Sequence, residues 1–452
     1  MRLRKTITTI VATAILLAGW QLFAVIANQP ELIPSLPRLV RTLCEWLVSG
    51  SFYQSVGATI FRGILGMSIS FVCAIGMAGL FARFEWVYEL FRPLLAIMRS
   101  IPVISFILLA LIFLNPESIP LMIAFLTMFP LLTENLTRGI LDLRPGLSIM
   151  ARQFHIKRSN VLFQIIYPQL KPFLYSGLAS AAGFGWRAII MGEVLSQCAF
   201  GIGSEMKRAQ NFIAVPELLA WTIVAVFISF FFDKGISKVA DITPKISFAN
   251  EDQTIPTPTL SVLDTKDISY QYGIQPFSHS FQKGIIYGIS APSGKGKTTL
   301  LNLIGGILLP TEGEIHPTRH FGIATIFQQP QLLPYLTAEE NIILPLSSFL
   351  TEEKARRIAQ KHLQEMEMEP FGNRYPKELS YGQQQRIAIA RALAYPSPLL
   401  LMDEPFKGLD EALSHRIIER IREKQMKEER IILFTSHNPD EIRLLADEVI
   451  YL

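Results

Sequence analysis

Six long apolar blocks in the first half of the chain limit the folds it can adopt more than any other feature. They lie near residues 6–27, 57–81, 93–114, 119–136, 173–195 and 217–232. Each block is long enough to cross about 30 Å of hydrocarbon as a helix. Inside lipid a helix satisfies its own backbone hydrogen bonds, which an open strand cannot do. We therefore predict an α-helical transmembrane bundle of about six helices over residues 1–235.

Basic residues between the blocks predict how the bundle is oriented. Arg2, Arg4 and Lys5 precede the first block, which is longer than the core of a secretory signal, about 7–15 residues. The longest loop, 138–171, carries Arg138, Arg144, Arg152, Lys157, Arg158 and Lys171. Lys and Arg favour the cytoplasmic side of a membrane. We therefore expect the N-terminus, this loop and the C-terminus to be cytoplasmic.

Three charged residues lie within the apolar blocks: Arg62, Arg187 and Glu193. Burying a charge in lipid is costly unless the charge faces protein or water. These side chains either line a path for a solute or make structural contacts between helices or near helix ends. Arg187 and Glu193 are six residues apart and so lie on different faces of one helix. We expect the partner of either residue to come from another helix.

The composition changes after the last apolar block. Residues 236–260 are polar, contain three prolines and predict a linker, whereas residues 261–452 resemble a soluble α/β domain. The net charge is +4, and much of the basic excess lies beside the apolar blocks. That position indicates membrane topology, so we predict no nucleic-acid partner. The three cysteines are too scattered to predict a disulfide framework or a metal site.

The stretch 285–301, I-I-Y-G-I-S-A-P-S-G-K-G-K-T-T-L-L, has the layout of a P-loop. An apolar run typical of a buried strand enters a loop of small residues, and the loop opens into a Leu-rich helix. Backbone N–H groups of such a loop wrap a polyphosphate, Lys297 can reach its outer phosphates, and the Thr298 hydroxyl can hold Mg²⁺. Ala291 replaces the first glycine of the pattern, so this stretch alone leaves open a coincidental Gly/Ser-rich loop.

Two later strand ends carry side chains suited to phosphate chemistry. Asp403 and Glu404 follow the apolar run of P-L-L-L-M-D-E-P, which predicts a strand buried on both faces. Asp403 is suited to bind Mg²⁺, and Glu404 to act as the general base that polarises an attacking water. The last predicted strand, R-I-I-L-F-T-S-H, ends at His437, which could sense a γ-phosphate. We expect all three residues at one edge of the sheet.

Three further positions are candidates on weaker grounds. Gln328, at the end of a short apolar strand, is placed to contact Mg²⁺ or water. Ser380 and Gly382 precede a helix-forming run and predict a second helix N-terminus able to bind an anion. Tyr272 is either a ring that stacks on a base or an ordinary strand tyrosine.

In this order the motifs resemble those of ATP-binding-cassette (ABC) ATPases, over about residues 260–452. A-P-S-G-K-G-K-T-T is similar to their Walker A motif, L-S-Y-G-Q to their signature, L-L-L-M-D-E-P to their Walker B motif and K-G-L-D to their D-loop. Gln328 stands at their Q-loop and His437 at their switch histidine. The resemblance implies an α/β P-loop ATPase domain with a helical subdomain that hydrolyses ATP with Mg²⁺.

The same resemblance implies which residues form the site. Those expected to contact ATP are Tyr272, Ser293, Gly294, Lys295, Gly296, Lys297, Thr298, Thr299, Ser380, Gly382, Gln383 and Asp410. Those expected to hold Mg²⁺ are Thr298, Gln328 and Asp403, and those expected to act in catalysis are Glu404, His437 and Gln328. The sequence departs from the family at Ala291, Tyr381, Lys407 and Gly408, and the segment between Lys297 and Gln328 is short. Every residue assigned chemistry is retained, so we expect the departures to affect rate and affinity more than the reaction.

The membrane half resembles the permeases of bacterial binding-protein-dependent importers, in particular those for nitrate, sulfonate, taurine and pyrimidine precursors. The matching stretches are L-I-P-S-L-P-R-L-V-R-T-L near residue 37, F-R-P-L-L-A-I-M-R-S-I-P-V-I-S-F near 98 and G-W-R-A-I-I-M-G-E-V-L near 190. Residues 149–168 lie where that family has its cytoplasmic coupling motif. Ile149 replaces its Glu and His155 its Gly, whereas Ala151 and Pro168 are kept.

Together the resemblances imply an importer of the bacterial cytoplasmic (inner) membrane whose permease and ATPase are fused. Complete importers of this kind have two of each part, so we predict a homodimer coupled through loop 138–171. ATP would lie between the P-loop of one copy and Ser380 and Gly382 of the other. The expected partners are a periplasmic or lipid-anchored substrate-binding protein and a small-molecule solute, which the sequence does not identify.

Two alternatives remain open. An exporter uses the same ATPase motifs and is disfavoured by the permease resemblance. A membrane-anchored ATPase that signals without transport would hydrolyse ATP independently of a solute. A soluble DNA-repair ATPase also shares these motifs, but the six apolar blocks exclude it.

Overall fold

The computed structural model describes residues 2–240, 244–253, 260–270, 274–292, 294–317 and 322–452. The chain divides into two compact units. The first, the helical unit, comprises Met1–Leu143 and Gln169–Ile242. The second, the mixed unit, comprises Arg144–Pro168 and Thr243–Leu452. A short segment from the first half of the chain therefore belongs to the same unit as the second half.

The helices of the first half are, in chain order, α1 Arg2–Ala27, α2 Leu36–Trp46, α3 Gly50–Arg83, α4 Glu85–Ser100, α5 Val103–Phe113, α6 Ile119–Leu141, α7 Pro145–Gln153, α8 Arg158–Asn160, α9 Tyr167–Ser196, α10 Ile202–Asn211 and α11 Val215–Ala240. A π-helical stretch, Val161–Ile166, joins α8 to α9. α11 includes residues 236–240, which the sequence had assigned to the linker. The only proline of α11, Pro216, lies in its first turn, so no proline ends the helix before residue 236.

Several of these helices have the length and apolar character of membrane spans. Among the described residues, four segments qualify: Gly50–Arg83, Pro116–Leu141, Arg158–Ser196 and Val215–Ala240. α4 and α5 add a fifth if a pair bent by 94° counts as one span, and the apolar part of α1, Val11–Ala27, is shorter. The predicted fold class, a helical membrane bundle followed by an α/β domain, is confirmed.

The predicted apolar block 93–114 is not one helix. α4 ends at Ser100, α5 begins at Val103, and the two helices are bent by 94°. Ile101 and Pro102 between them have extended backbone, with ψ of 130° and 131°. Proline disfavours helical conformation in the residue that precedes it, so Ile101 leaves the helix. The block is therefore two helices rather than one, because the Ile101-Pro102 pair interrupts the helical backbone.

The charged residues of the apolar blocks make structural contacts. Arg62 of α3 lies 2.7 Å from Glu193 of α9 and 2.7 Å from Glu117. Glu193 is fully buried and also accepts hydrogen bonds from the Thr59 hydroxyl and the Gly203 N–H, each over 3.0 Å. Its partners thus come from other helices, which confirms that expectation. The exposed Arg187 instead lies 5.9 Å from the ring of Phe184 on its own helix, so for Arg187 the expectation was wrong.

The described residues of the mixed unit form two sheets. Its strands are β1 Val262–Tyr270, β2 Ile274–Gln282, β3 Ile286–Ser290, β4 Glu312–His316, β5 Ala324–Ile326, β6 Leu399–Asp403, β7 Ile431–Thr435 and β8 Glu448–Tyr451. Its later helices are α12 Lys297–Ile304, α13 Ala338–Leu346, α14 Glu352–Glu365, α15 Tyr381–Ala394, α16 Glu411–Glu428 and α17 Pro439–Leu445. The first sheet is antiparallel, in the order β2-β1-β4, and the second is parallel, in the order β5-β6-β7-β3-β8.

The parallel sheet determines where the candidate residues meet. β6 and β7 are buried along their whole length, as expected for strands covered on both faces. Asp403 pairs with Thr435, and Ile289 pairs with the same residue from the other side. The loops after β3, β5, β6 and β7 therefore leave the sheet at one edge. These loops carry the P-loop, Gln328, Glu404 and His437.

Residues 244–253 of the predicted linker pack on other parts of the mixed unit. The Ser247 N–H donates to Asn160 Oδ1, and Asn160 Nδ2 donates both to the Ser247 carbonyl and to the Ser347 hydroxyl, each over 2.8 Å. Further along, the Gln253 N–H donates to the Phe349 carbonyl over 2.8 Å. The buried Asn160 thus joins α8, this segment and the end of α13.

Candidate functional site

The P-loop connects β3 to α12. Gly294 and Gly296 have φ of +81° and +87°, left-handed values that glycine adopts without strain. Gly296 is the N-cap of α12, so the first N–H groups of this helix, which have no acceptor within it, lie next to the loop. The buried Lys297 donates from Nζ to the Ala291 carbonyl over 2.7 Å. Any residue supplies a carbonyl, so alanine in place of glycine keeps this contact.

Asp403 lies at the end of β6, beside the P-loop helix. The Thr298 hydroxyl donates to its Oδ2 and the Thr435 hydroxyl to its Oδ1, each over 2.8 Å. Burial raises the pKa of the Asp403 carboxyl, and these two hydrogen bonds oppose the shift. A hydroxyl in contact with a carboxylate is an oxygen donor set of the kind Mg²⁺ prefers, so these residues fit the predicted metal. Mg²⁺ held there would neutralise charge on the phosphates of ATP.

Glu404 follows with φ of +48°, a value that costs free energy outside glycine and that recurs at functional sites. Its Oε1 lies 2.8 Å from His437 Nε2, and its Oε2 lies 3.6 Å from Lys407 Nζ. On the other side of the imidazole, Lys297 Nζ lies 3.1 Å from His437 Nδ1. An ammonium only donates, so His437 accepts at Nδ1 and donates from Nε2 to Glu404. His437 thus joins the P-loop lysine to the candidate general base.

A cavity of about 260 Å³ brings Gln328 together with the metal-binding candidates. Thr298, Asp403 and Gln328, the three residues expected to hold Mg²⁺, all line it. Gly146 and Ile149 of α7 line the same cavity. The coupling segment predicted from the permease resemblance therefore reaches the edge of the candidate ATP site.

A second group of predicted residues lies at the start of α15. Ser380 is the N-cap: its hydroxyl accepts from the Gln383 N–H over 3.3 Å, and Gln383 Oε1 accepts from the Ser380 N–H over 2.9 Å. Asp410 is the N-cap of α16, and its Oδ1 accepts a hydrogen bond from the Leu413 N–H over 2.9 Å. Within the described parts of the chain, none of these hydrogen bonds reaches the P-loop.

Of the remaining residues expected to contact ATP, the structure describes some and not others. Lys295 and Thr299 lie in the P-loop and in α12, on either side of Lys297. Tyr272 and Ser293 lie outside the described residues, so their roles stay predictions.

α7 and the residues after it pack into the core of the mixed unit. Phe154 is fully buried, with its ring edge-on to Tyr395 at 5.1 Å and the Arg391 guanidinium 5.4 Å from its centre. The Gln153 side chain donates to the Gly305 carbonyl, just beyond α12, over 2.8 Å. This segment therefore contacts both the helix that begins at the P-loop and the helix that begins at Ser380.

Three residues of this region were missed in the sequence. Thr435 holds Asp403, and its signal was its place two residues before His437 at a strand end. Arg391 donates to the Gln331 carbonyl over 2.6 Å as well as packing on Phe154. Nothing in the local sequence pattern marks Arg391 or Phe154, because both act through contacts with distant segments.

Two family models match the chain. The model described as "ABC transporter" matches residues 274–407, and the one described as "Binding-protein-dependent transport system inner membrane component" matches residues 66–233. The thiamine import ATP-binding protein ThiQ of Yersinia pseudotuberculosis is 34% identical over 203 residues, which cover 42% of this chain and 86% of that protein. The chain belongs to the ABC transporter family.

Further relatives match the same part of this ABC transporter chain. The Fe(3+) ions import ATP-binding protein FbpC of Rhizobium etli is 35% identical over 189 residues, or 40% of this chain. The match covers 54% of that relative, so the chain spans about half of its length. A solved dimeric ATP-binding cassette bound to ADP and Pi is 32% identical, with coverage of 42% of this chain and 94% of that chain and a TM-score of 0.39.

The family models and the match to ThiQ confirm the predicted family. The ABC transporter chain carries an inner-membrane transport component and an ABC ATPase domain in one polypeptide. It is a multi-pass protein of the inner membrane, and its ATPase domain is cytoplasmic.

Proposed function

We propose that the chain is an ATP-driven importer of a small solute. A permease domain occupies residues 1–235, a linker 236–260 and the ATPase domain 261–452. One observation carries the proposal: a binding-protein-dependent transport component and an ABC ATPase share one polypeptide. ATP-binding relatives whose names specify import of thiamine and of Fe(3+) support the inward direction. A periplasmic or lipid-anchored binding protein would deliver the solute.

The residues at the edge of the parallel sheet would hydrolyse ATP. Lys297 and the P-loop N–H groups would bind its phosphates, and Thr298 and Asp403 would hold Mg²⁺ with Gln328 nearby. Glu404 would act as general base toward the attacking water. The 2.8 Å contact with His437 supports this role, because it orients the Glu404 carboxylate toward the P-loop lysine.

The loop 138–171 would couple hydrolysis to transport. α7 lines the cavity that contains Thr298, Asp403 and Gln328, and Phe154 packs beside α15. A change in either region of the ATPase domain would therefore act on this loop directly. Closing and reopening of the ATPase domains would reorient the membrane helices between two states.

The functional unit would be a homodimer with ATP between two copies. The predicted residues form two groups, one at the P-loop and one at the start of α15, and among the described residues no hydrogen bond joins Lys297 or Thr298 to Ser380 or Gln383. We infer that the P-loop of one copy meets Ser380 and Gly382 of the other. A two-fold axis, usual for homo-oligomers, would complete two such sites.

A reconstitution experiment tests the direction of transport. The full chain is placed in proteoliposomes with extracytoplasmic proteins of its host, and labelled nitrate, taurine, an alkanesulfonate and a pyrimidine precursor are offered in turn. An importer moves solute toward the side that holds ATP, so label should accumulate when ATP is trapped in the lumen. Glu404→Gln should abolish accumulation.

Two other outcomes correspond to the alternatives. Accumulation of label only with external ATP would identify an exporter. ATP hydrolysis without movement of any label, under either arrangement, would favour the membrane-anchored ATPase that signals without transport.

A further inference from the structure

Tyr381 occupies a position where the signature of related ATPases has glycine, and its side chain contacts two other loops. Its hydroxyl donates to the Gln328 carbonyl over 2.9 Å. Its ring lies against Gly408: a Cβ built on Gly408 would be 2.7 Å from Tyr381 Cδ1, closer than real Cβ contacts. A single side chain therefore joins the start of α15 to the loop after β5 and to the loop before α16.

The unusual residues at 381 and 408 fit each other. Gly408 has φ of +79°, which glycine adopts without strain, and any side chain there would collide with the Tyr381 ring. The backbones are also close, because a Cβ on Gly382 would lie 2.6 Å from the Gly408 carbonyl oxygen. A glycine at position 381 would leave this space empty and remove the donor to Gln328. The two departures thus form one packed unit.

We propose that Tyr381 is a positioning residue that makes the two ATP sites of the dimer respond together. Gln328 lines the same cavity as Thr298 and Asp403, so it belongs to the ATP site of its own chain. Ser380, next to Tyr381, contributes to the site completed by the second copy under the proposed function, on which this inference rests. The hydrogen bond from the Tyr381 hydroxyl to the Gln328 carbonyl links Gln328 to Ser380, the residue before Tyr381, within one chain. A shift of Gln328 in one site is thereby transmitted to Ser380 in the other.

The expected effect of Tyr381 on cooperativity is set by the strength of its hydrogen bond to the Gln328 carbonyl. A neutral hydrogen bond changes an equilibrium by about 2- to 12-fold. A change of this size is too small to abolish hydrolysis but large enough to alter cooperativity between two sites. Tyr381 lies at neither the P-loop nor the carboxylates, so its loss should leave the affinity for a single ATP nearly unchanged.

The first test removes only the hydroxyl. Hydrolysis by the full-length dimer is measured against ATP concentration for the wild type and Tyr381→Phe. We expect the Hill coefficient to fall toward about 1 in Tyr381→Phe, while the binding of a fluorescent ATP analogue to the P-loop changes by less than about twofold. Tyr451→Phe removes an exposed hydroxyl on β8 and should match the wild type in both measurements.

A second test uses the fit between positions 381 and 408. Gly408→Ala should reduce cooperativity because the new methyl group displaces the Tyr381 ring. In a Tyr381→Gly background, which lacks the ring, Gly408→Ala retains only the backbone strain of its positive φ, so the further loss of cooperativity should be smaller than in the wild type. An equal loss of cooperativity in both backgrounds would show that the ring contact does not position the loops.

The results separate this inference from the proposed function. If the wild type is cooperative and Tyr381→Phe keeps the same Hill coefficient, the role of Tyr381 is wrong and the dimer stands. If the wild type is not cooperative and a Lys297→Ala chain mixed with a Ser380→Arg chain regains no activity, the shared sites are wrong and this inference fails with them. A non-cooperative wild type whose mixed chains do regain activity would overturn the inference alone.

Discussion

Glu404 is the residue on which the proposed chemistry depends most. Its backbone has a positive φ, held by hydrogen bonds from its N–H to the Thr435 carbonyl and hydroxyl over 3.2 and 3.1 Å. Its Oε1 lies 2.8 Å from His437 Nε2, and its Oε2 lies 3.6 Å from Lys407 Nζ. Both contacts favour a fixed carboxylate, as a general base requires.

Glutamine at position 404 keeps the shape of the side chain and removes its basicity. We expect Glu404→Gln to lower steady-state ATP turnover by about 10²- to 10⁴-fold, the usual contribution of a general base. ATP binding should persist, because Lys297, Thr298 and Asp403 are untouched. Turnover is measured as phosphate release and binding with a fluorescent ATP analogue.

The matched control is Glu419→Gln, on the exposed face of α16. It makes the same chemical change away from the site and should leave turnover as it is. Phosphate release by Glu404→Gln at close to the wild-type rate would remove Glu404 from its assigned role.

At the scale of residues, the sequence indicated the candidate catalytic side chains but not the residues that hold them in place. Lys297, Asp403 and His437 were identified because strand ends and a P-loop have local patterns, and the structure places them within contact of Thr298 and Glu404. Thr435, which holds Asp403 from the neighbouring strand, depends on strand register. A register is set by long-range pairing that a single sequence does not display.

Among the elements, α7 stands out because it belongs to the mixed unit although it comes from the membrane half of the sequence. Met150 and Phe154 are fully buried, and the Ile323 N–H donates to the Gln153 carbonyl over 2.8 Å. Arg391 of α15 packs on Phe154, and burial lowers the pKa of its guanidinium. In the described parts of the chain, the Arg391 guanidinium lies against the aromatic face of Phe154 and donates to the Gln331 carbonyl.

Phe154→Leu tests coupling through α7 while keeping an apolar side chain at this position. Leucine cannot reproduce the edge-on contact with Tyr395 or the cation–π contact with Arg391, which together are worth about 1–2.5 kcal/mol. We expect solute transported per ATP hydrolysed to fall by about tenfold, whereas basal hydrolysis and ATP binding should be kept. Both rates are measured in the same proteoliposomes.

Phe163→Leu is the control, since Phe163 lies in the following π-helical stretch and is exposed. Equal transport per ATP in Phe154→Leu and Phe163→Leu would argue against coupling through this contact. A thermal unfolding curve close to that of the wild type is required for both variants, so that loss of folding does not imitate loss of coupling.

At the scale of the whole molecule, the number of domains in one chain determines what a complete transporter requires. The chain holds one transport component and one ABC ATPase domain. Lys297 and Ser380 belong to one mixed unit, yet no hydrogen bond among the described residues joins the P-loop directly to Ser380 or Gln383. The sequence predicted both groups, but it could not show that the start of α15 is bound to Gln328 and Gly408, because these contacts join segments far apart in the chain.

Mixing two inactive chains tests whether ATP sites are shared. Lys297→Ala removes the phosphate-binding lysine, and Ser380→Arg places a large cation at the N-cap of α15, so each variant alone should be inactive. In a mixed dimer, both lesions fall in one composite site and the other site is intact. Random pairing makes half of the dimers mixed, and each has one of two sites, so we expect recovery of up to about a quarter of wild-type hydrolysis.

The control places both substitutions in one chain instead of in two. A chain that carries both Lys297→Ala and Ser380→Arg, mixed with wild type, forms dimers in which each site has one lesion, so these mixed dimers should be inactive. If hydrolysis were instead confined to single chains, the separate lesions would show no recovery and the double variant would only dilute the wild type. Recovery only after a second, related polypeptide is added would keep the shared site and exclude the homodimer.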